Sequence, residues 1–502
     1  MRGKKTVRFA VSALCAAVAV AFGAGAAGAA SAEAAPAAGG FVALTGDAVP
    51  RLDAALHAVA ARTPALSVAV VEDDRLAYAH AFGYADLAGR RTATPETRFR
   101  IASVTKMLTA VAIMQLVESG RVALDDRLAR FLPGVPHAGE VTIRELLQHT
   151  SGYWNYGDEA FNTNAVAKPT TPQAMLAAAA AHPLTSPPGT RFAYSNTGYV
   201  ALGLVVEAVT HEPLARYETT HVLAPAGMTE TTFGAAPSAG AARGYAGADG
   251  TPASTYSPTW LYADGDAVST APDVARFDVA LMSGKLVRPA TFEQMQQSTV
   301  DASAVAPGVR WGLGVTVYRT GGVTFVGHHG GAPGFEAEDE MIPADRFAVV
   351  VLSNAYNFPT AAANNAVLRI VAPSVVARAT AEAAAAAPSP SPGAPASPAA
   401  AASEDPAVTQ QLRAFYAGLL RGEVDRPKLT DQMNAALTPD VLAAMKAQLA
   451  GIGTIATLTF SGRADANGYR VYRYRATFSG GQTLPISFSL DQAGKIAGFV
   501  FS

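Results

Sequence analysis

The sequence predicts an α+β protein that is organised as two domains. Apolar runs rich in β-branched residues stand near both ends of the larger domain, at residues 66–71 and 347–352, and long helical runs lie between them. The smaller domain shows helical spacing first and alternating strands afterwards. These patterns favour an antiparallel sheet built from the two ends of the large domain and flanked by helices, followed by a small α+β domain.

A change of composition separates the two domains. Residues 379–405 are almost entirely Ala, Pro, Ser and Gly, and Pro alternates with Ser at their centre. Prolines spaced in this way prevent a helix and favour an extended, semi-rigid spacer. We therefore expect a large domain over residues 40–378, a linker over 379–405 and a small domain over 406–502.

The first 32 residues (1–32) have the pattern of a secretory signal peptide. Positions 1–8 carry four basic residues and no acidic residue, an apolar stretch runs from Phe9 to about Ala30, and Ala30-Ser31-Ala32 supplies small residues for cleavage. The alternative is an uncleaved membrane anchor, since the apolar stretch is long for a signal. We expect an exported protein, periplasmic or secreted, that contacts a membrane only if this segment is retained.

Composition excludes several classes of function. The 38 Lys and Arg residues nearly balance the 40 Asp and Glu residues, so the formal charge is −2 and no basic field suited to nucleic acid is present. The single cysteine, Cys15, excludes an internal disulfide framework and a cysteine-built zinc site. We expect no cofactor and no metal, and a small molecule rather than a nucleic acid as the partner.

Local patterns predict the individual elements of the large domain. The run 66–71 leads into a polar turn at 72–75, and residues 76–82 return as the second strand of a hairpin. Helices are predicted over 106–118 and 172–181. The first of these is apolar on nearly every face, so we expect it to be buried.

The first chemical motif is Ser103-Val104-Thr105-Lys106, at the start of the first of these helices. A spacing of three places Ser103 and Lys106 on one face of a helix, one turn apart. A serine hydroxyl needs a neighbouring base, and burial near a helix N-terminus favours the neutral lysine amine that can act as one. The alternative is that Ser103 caps the helix and Lys106 lies at the surface.

The second motif is Tyr194-Ser195-Asn196, which lies between a Pro-Pro-Gly turn and an apolar helix that starts near Gly198. A tyrosine in such a loop can carry a proton, and an asparagine can hold a lysine or a substrate amide. Alternatively, Ser195 or Asn196 caps the helix and Tyr194 packs in the core.

The third motif is Gly327-His328-His329-Gly330-Gly331. Adjacent side chains on a strand point to opposite faces, so the two histidines are not expected to bind one metal together. The glycines let a substrate backbone lie close to the strand and expose N–H donors. A metal pair and a plain glycine-rich turn are the alternatives.

In this order and at these separations, the three motifs resemble those of the serine β-lactamase and penicillin-binding protein superfamily. The closest branch is the class C β-lactamase-like serine hydrolases, with their esterases and D-stereospecific peptidases. Two further segments, 141–152 and 265–273, resemble flanking segments of the same family. The resemblance covers about residues 50–355 and implies a β-lactamase/transpeptidase-like fold, in which an all-helical subdomain accompanies the antiparallel sheet.

The resemblance also implies a role for each matching residue. Ser103 would be the nucleophile that forms an acyl-enzyme. Lys106 and Tyr194 would share its activation and later pass protons to the leaving group and the deacylating water. Asn196 would hold Lys106 or a substrate amide, and the backbone N–H groups of Ser103 and Gly331 would form the oxyanion hole.

One departure affects the expected substrate. β-Lactamases of this branch carry Lys-Thr-Gly where this chain has His328-His329-Gly330, and their lysine faces the substrate carboxylate as a permanent charge. An unperturbed histidine is only partly protonated at neutral pH, because its pKa is ~6.5. His328 and Gly330 stay among the expected substrate-binding residues, whereas His149 resembles a residue that only fastens its loop. We therefore expect hydrolysis of an ester or a peptide-like amide rather than efficient β-lactamase activity.

Several alternatives stay open. A penicillin-binding protein or β-lactamase would act on β-lactams or cell-wall peptides, a non-turnover ligand sensor would keep an acylatable serine, and a structural envelope protein would need no chemistry. Among enzymes, a D-Ala-D-Ala carboxypeptidase or D-aminopeptidase competes with a carboxylesterase. Pocket shape decides between these activities, and we expect the loop 153–156 to form one wall.

The small domain begins with helical spacing over 407–420 and again over 439–449. In the strands that follow, the even-numbered residues from Tyr472 to Phe478 are apolar or aromatic, and a turn at 491–494 joins the last two strands. This order resembles cystatin-like or NTF2-like α+β domains. We expect the tyrosines in the core and the arginines between them in solvent.

Overall fold

The computed structural model describes most of both predicted domains. It covers residues 43–157, 165–234, 240–303, 305–306, 308–386, 405–430, 433–434, 437, 442, 445–446, 449, 452–466, 469–479 and 483–501. The predicted signal peptide and the proline-rich centre of the predicted linker lie outside these residues. The described residues belong to two compact units, 43–386 and 405–501.

The first unit is built around one nine-stranded antiparallel sheet. Its spatial order is β3-β2-β1-β11-β10-β9-β8-β7-β6, and β4 pairs separately with β5. The strands are β1 (Ala65–Glu72), β2 (Arg75–Asp86), β3 (Arg91–Thr92), β4 (Phe99–Arg100), β5 (Val268–Ser269), β6 (Val300–Asp301), β7 (Arg310–Trp311), β8 (Thr316–Thr320), β9 (Val323–Ala332), β10 (Phe335–Ile342) and β11 (Phe347–Ser353).

The two ends of the unit meet in this sheet, as the sequence predicts. β1 pairs with β11 in antiparallel register, with Val70 opposite Val349. β1 also forms the predicted hairpin with β2. Asp73 and Asp74 in its turn both have positive φ, of 49° and 60°, which is the conformation that tight two-residue hairpin turns require.

Helices cover both faces of the sheet. They are α1 (Ala48–Ala60), α2 (Thr105–Glu118), α3 (Ile143–Leu147), α4 (Pro172–Ala180), α5 (Asn196–Thr210), α6 (Leu214–Glu218), α7 (Ala224–Ala226), α8 (Ala271–Met282), α9 (Pro289–Gln297), α10 (Thr360–Val371) and α11 (Pro373–Ala386). Val68 and Val70 of β1 pack in the core that contains α1 and α10, whereas Ala69 and Val71 pack in the core that contains α2, α5 and α8. A strand buried on both faces explains the continuous apolar run in the sequence.

The described residues between 105 and 226 are helical or irregular, so this part of the unit forms the helical subdomain. The helices predicted over 106–118 and 172–181 are observed as α2 and α4, and the helix predicted near Gly198 is α5. α2 is buried on nearly every side, as predicted, with ten consecutive buried residues from Thr105 to Met114. Such a helix is a rigid support for the residues at its N-terminus.

The predicted linker begins too early. α11 continues to Ala386 and therefore includes the first residues of the segment 379–405. Composition alone suggested a spacer there, but Pro388 is the first proline of that segment and alanine is the best helix former. Counting alanine together with proline therefore placed the boundary inside a helix.

The second unit is a helix packed on one four-stranded antiparallel sheet. The helix is α12 (Pro406–Arg421), and the strands are β12 (Ile455–Ala466), β13 (Tyr469–Phe478), β14 (Thr483–Leu490) and β15 (Ile496–Phe501), paired in that order. Tyr472, Tyr474, Ala476 and Phe478 are buried, and the intervening Arg473 and Arg475 are exposed, as predicted. The helix predicted over 439–449 falls largely outside the described residues.

Candidate active site

Ser103 lies in a 3₁₀ turn, Ala102–Val104, directly before α2. The turn follows β4, and the Ile101 N–H donates a hydrogen bond to the Ala267 carbonyl at 3.2 Å. Ala102 has a φ of 46°, in the left-handed region that residues with a Cβ rarely adopt. Backbone strain of this kind concentrates at functional sites, so the strain at Ala102 indicates that the Ser103 turn belongs to one.

Lys106 is completely buried, and its amine reaches three oxygen atoms. Its Nζ lies 2.9 Å from Ser103 Oγ, 2.8 Å from Asn196 Oδ1 and 2.6 Å from the backbone carbonyl of Asp264. The surface position considered as an alternative for Lys106 is therefore wrong. The structure brings the lysine of the first motif and the asparagine of the second motif together beside Ser103.

Tyr194 approaches Ser103 from the other side. Its hydroxyl donates to Ser103 Oγ at 2.9 Å, and its ring lies 5.0 Å from Lys106 Nζ. Asn196, the first residue of α5, is fixed by a bond from its own N–H to Asn155 Oδ1 at 3.0 Å. Ser103 Oγ is thus hydrogen-bonded to both an amine and a phenol.

His149 and Trp311 pack around Tyr194. The His149 ring lies 4.3 Å from the Tyr194 ring, and Trp311 lies 5.6 Å from Tyr194 and 4.7 Å from His149. Burial, and then the positive charge of Lys106, lowers the pKa of His149 well below its usual range. The neutral ring accepts the Ser195 N–H through Nδ1 at 3.1 Å. His149 therefore supports Tyr194 as well as its own loop, a contact that the sequence reading did not include.

His328 and His329 lie on opposite faces of β9, as strand geometry predicts. The His328 ring is only 4 % exposed and packs 5.1 Å from Trp311, and its Nδ1 donates to the His329 carbonyl at 2.5 Å. His329 Nε2 instead lies 3.1 Å from Glu336 Oε2. Burial tends to lower the pKa of His329, but the hydrogen bond and charge of Glu336 outweigh it and raise the pKa.

The partial charge expected on His328 is not observed. Burial, followed by the charge of Lys106, lowers the pKa of His328 to about 3, so its imidazole is neutral at physiological pH. Its side chain is also too buried to face a substrate directly in this structure. Position 328 of the third motif therefore presents neither the permanent charge of a lysine nor a partly protonated histidine.

Gly330 lets β9 lie against the Ser103 turn. A Cβ at this position would stand 2.2 Å from the Ile101 carbonyl oxygen and 3.0 Å from the Ser103 nitrogen. Gly331 follows on the strand and is exposed. Glycine at position 330 thus brings the backbone at Gly331 close to the Ser103 turn, on the side that the sequence assigns to the oxyanion hole.

The sequence analysis did not predict Asp264 near Lys106, and it predicted Tyr156 only as part of a pocket wall. Asp264 is buried, and the Tyr156 hydroxyl lies 2.8 Å from its Oδ2. Burial raises the pKa of Asp264, while the charge of Lys106 and the bond from Tyr156 act against that rise. The sequence indicated Asp264 only by its position, because it immediately precedes segment 265–273, which resembles a segment of the family.

The loop 153–156 was expected to form a pocket wall, and its residues differ in how deeply they are buried. Tyr153 and Tyr156 are buried, whereas Trp154 is half-buried and stacks on His182 with 5.0 Å between ring centres. The loop therefore contributes core contacts and Asn155, which fixes Asn196.

The described residues contain neither a candidate metal site nor a candidate membrane-spanning helix. The residues that the structure describes contain no cluster of three or more His, Cys, Asp or Glu side chains placed to hold a metal ion. Among the same residues, no helix has the length and apolarity to cross a bilayer.

Comparisons with known proteins agree with the motif order. The Beta-lactamase family profile matches residues 51–372. The putative penicillin-binding protein PbpX of Bacillus subtilis (strain 168) is 29 % identical over 294 residues, a match that covers 57 % of this chain and 70 % of that protein. Penicillin-binding protein 4* of the same organism is 35 % identical over 167 residues, which are 33 % of this chain and 37 % of that protein. The chain thus spans little more than a third of this second relative.

One solved structure is similar to a large part of this chain. The D-amino acid amidase of Ochrobactrum anthropi SV3, solved with L-phenylalanine amide, superposes with a TM-score of 0.59 at 26 % identity. The match covers 68 % of this chain and 100 % of that one. It confirms the β-lactamase/transpeptidase-like fold. Together with the family profile, it shows that the chain belongs to the Beta-lactamase family, within the superfamily of serine β-lactamases and penicillin-binding proteins.

Proposed function

We propose that this protein is a serine hydrolase of the class C-like branch that acts on an ester or a peptide-like amide through an acyl-enzyme. One observation carries the proposal: Ser103 Oγ is hydrogen-bonded to Lys106 Nζ and to the Tyr194 hydroxyl, each at 2.9 Å. A serine flanked by two groups that exchange protons is the arrangement that nucleophilic catalysis needs.

The hydrogen bonds are all satisfied when Lys106 is a neutral amine. Tyr194 then donates to Ser103, Ser103 donates to the lone pair of Lys106, and the two amine protons go to Asn196 Oδ1 and the Asp264 carbonyl. In this arrangement Lys106 is ready to accept the serine proton. Asn196 and Asp264 hold the amine in place, so its lone pair points at Ser103.

Acylation then follows with balanced protons. Ser103 Oγ forms a bond to the substrate carbonyl carbon as its proton moves to Lys106, and the N–H groups of Ser103 and Gly331 stabilise the oxyanion. The bond to the leaving group breaks as that group takes a proton from Tyr194, which regains one from Lys106 through the network. In deacylation water is the nucleophile: Tyr194 takes the water proton as it passes its own proton to Lys106, and Ser103 Oγ regains a proton from Lys106 as the acyl bond breaks.

The neutral state of His328 supports the substrate class. A buried, uncharged imidazole supplies no fixed cation for a substrate carboxylate. This favours a neutral ester or amide over a β-lactam that carries a carboxylate.

A second candidate is a penicillin-binding protein or β-lactamase, which the two relatives from Bacillus subtilis favour by name. The same serine would then be acylated by a β-lactam or a cell-wall peptide. Slow or absent deacylation would make the protein a ligand sensor. We also propose that the chain is exported, on the strength of the basic and apolar pattern of residues 1–32.

The first test labels the mature protein with a fluorophosphonate and records intact masses. A single adduct on the wild type, absent from Ser103→Ala, supports an activated serine. Ser119→Ala is the matched control, because Ser119 is exposed at the other end of α2, ~20 Å away, and it should label like the wild type. No adduct on the wild type would count against the proposal.

A panel of substrates then separates the candidates. Neutral esters, D-amino acid amides and a cephalosporin are compared by kcat/KM on unlabelled wild-type protein from a preparation shown to label at Ser103. Rapid cephalosporin turnover would contradict the proposed substrate class. Stable acylation without turnover would identify the sensor.

A further inference from the structure

Asp264 contacts Lys106 through its backbone carbonyl, and its carboxyl side chain is buried. Its backbone carbonyl accepts from Lys106 Nζ at 2.6 Å, and its side chain is only 2 % exposed. One carboxylate oxygen lies 2.8 Å from the Tyr156 hydroxyl, and the other accepts the Tyr262 N–H at 3.3 Å. The fold therefore places an ionisable group beside Lys106 and holds it in a single position.

The electrostatic coupling between these two groups is mutual. The positive charge of Lys106 favours the ionised form of Asp264 against the effect of burial. By the same interaction, an ionised Asp264 favours the protonated form of Lys106. The protonation state of Lys106 decides whether it can take the proton of Ser103, so Asp264 acts on the reaction through the lysine.

Other charged or titratable groups around the lysine are mostly neutral. Burial keeps His149 and His328 uncharged near pH 7, and Tyr194 and Tyr199 present ring faces to the amine. Next to Asp264, burial and the neighbouring Glu218 raise the pKa of Asp266 well above its usual range. The charge of Lys106 thus opposes the rise in the pKa of Asp264, whereas the neighbouring carboxyl groups add to the rise in the pKa of Asp266.

Tyr156 can form a hydrogen bond with Asp264 whether the carboxyl group is ionised or protonated. Its single hydroxyl proton lies between two acceptors, Asp264 Oδ2 at 2.8 Å and the Trp260 carbonyl at 2.7 Å. When Asp264 is ionised, Tyr156 donates to it. When Asp264 is protonated, Asp264 donates to Tyr156, which donates to Trp260. An asparagine can take the second arrangement, so Asp264→Asn removes the charge and keeps the hydrogen bonds.

We propose that Asp264, positioned by Tyr156, is the counter-ion of Lys106 and sets the pH range in which Ser103 is reactive. The inference rests on the proposed serine hydrolase function. Asp264 is a positioning residue, because it acts on the substrate only through the lysine.

The test measures the second-order rate of fluorophosphonate labelling from pH 5 to 10, so that no natural substrate is needed. Asp264→Asn is expected to move the limb of the profile governed by Lys106 to lower pH by about one unit, because it removes a buried opposite charge that acts on the lysine, and the loss of such a charge shifts a pKa by roughly that much. The direction is the same whether the neutral or the protonated lysine is the reactive form.

Two further variants separate charge from structure. Tyr156→Phe removes a bond that favours the ionised carboxylate, so it should move the same limb in the same direction by a smaller amount. Asp266→Asn replaces a neighbouring acid whose ionisation is disfavoured by burial and by the carboxyl groups around it, and it should leave the profile in place. Thermal unfolding of each variant identifies any that do not fold.

The outcomes distinguish this inference from the proposed function. An Asp264→Asn protein that labels at Ser103 with the wild-type pH profile would overturn the counter-ion role and leave the hydrolase intact. If Asp264→Asn does not fold, an unshifted Tyr156→Phe profile would have the same meaning. Absence of labelling in the wild type would instead contradict the proposed function.

Discussion

Gly330→Ala tests the contact between β9 and the Ser103 turn. The added Cβ would stand 2.2 Å from the Ile101 carbonyl oxygen and 3.0 Å from the Ser103 nitrogen. Both are backbone atoms, so no side chain can rotate away to relieve the clash. Either β9 or the turn must move.

The size of the displacement follows from the shorter contact. Restoring an ordinary separation between the new methyl group and the Ile101 oxygen requires a movement of about 1 Å. A misplacement of that size at a reacting group costs ~10²-fold in rate, which is about 2.7 kcal/mol of transition-state stabilisation. Overpacking of this kind also lowers the free energy of unfolding by about 1–3 kcal/mol.

The assay is the fluorophosphonate labelling rate at fixed pH, paired with thermal unfolding. Gly139→Ala is the control, because a Cβ there would meet no atom within 4 Å, and it should match the wild type in both measurements. A Gly330→Ala protein with the wild-type labelling rate and Tm would refute the reasoning. It would mean that β9 does not press on the Ser103 turn in solution.

Two further predictions concern buried ionisable groups. Asp278 and Asp339 are both fully buried. Burial, and then the charge of Asp339, raises the pKa of Asp278 well above its usual range, and burial and the charge of Glu338 raise the pKa of Asp339 to about 7 against the opposing hydrogen bond of Asp278. The folded state therefore keeps protons that the unfolded chain releases above pH ~4, and wild-type stability falls as the pH rises from there through 7. Asp278→Asn should raise the free energy of unfolding by at least about 1 kcal/mol at pH 8 and by little at pH 4; an equal effect at both pH values would contradict this. His328→Lys should lower the free energy of unfolding by ~1–3 kcal/mol, because it places a second amine in the buried site beside Trp311 and near the charge of Lys106; an unchanged free energy of unfolding would contradict the burial of this position.

Local patterns predicted those parts of the fold in which sequence neighbours are also spatial neighbours. The β1–β2 hairpin depends on a two-residue turn between apolar runs, and α2 depends on an apolar run without a breaker. Ser103 and Lys106 are three residues apart, so helical geometry alone brings them together. The end of α11 was predicted less well, because alanine occurs in both helices and spacers and only proline separates the two.

Contacts between the distant segments of the site were predicted only through the resemblance to a family. Tyr194 and Asp264 come from segments far along the chain from Ser103 and Lys106, and no local spacing relates them. The matching motifs carried Tyr194 and Asn196, which the family supplies. Asp264 lies outside those motifs and was not predicted, and Tyr156 was predicted only as part of a pocket wall.

The sequence by itself determined which chemical groups are available: one serine, lysine and tyrosine set in a recognisable order, and a histidine in place of a cationic lysine. Only the tertiary structure decided the charge on those groups. Protonation depends on the loss of water and on charges a few ångströms away, and both are set by segments that meet only on folding. His328 shows this most directly, because the same residue type is partly charged in water and neutral between Trp311 and the buried Lys106.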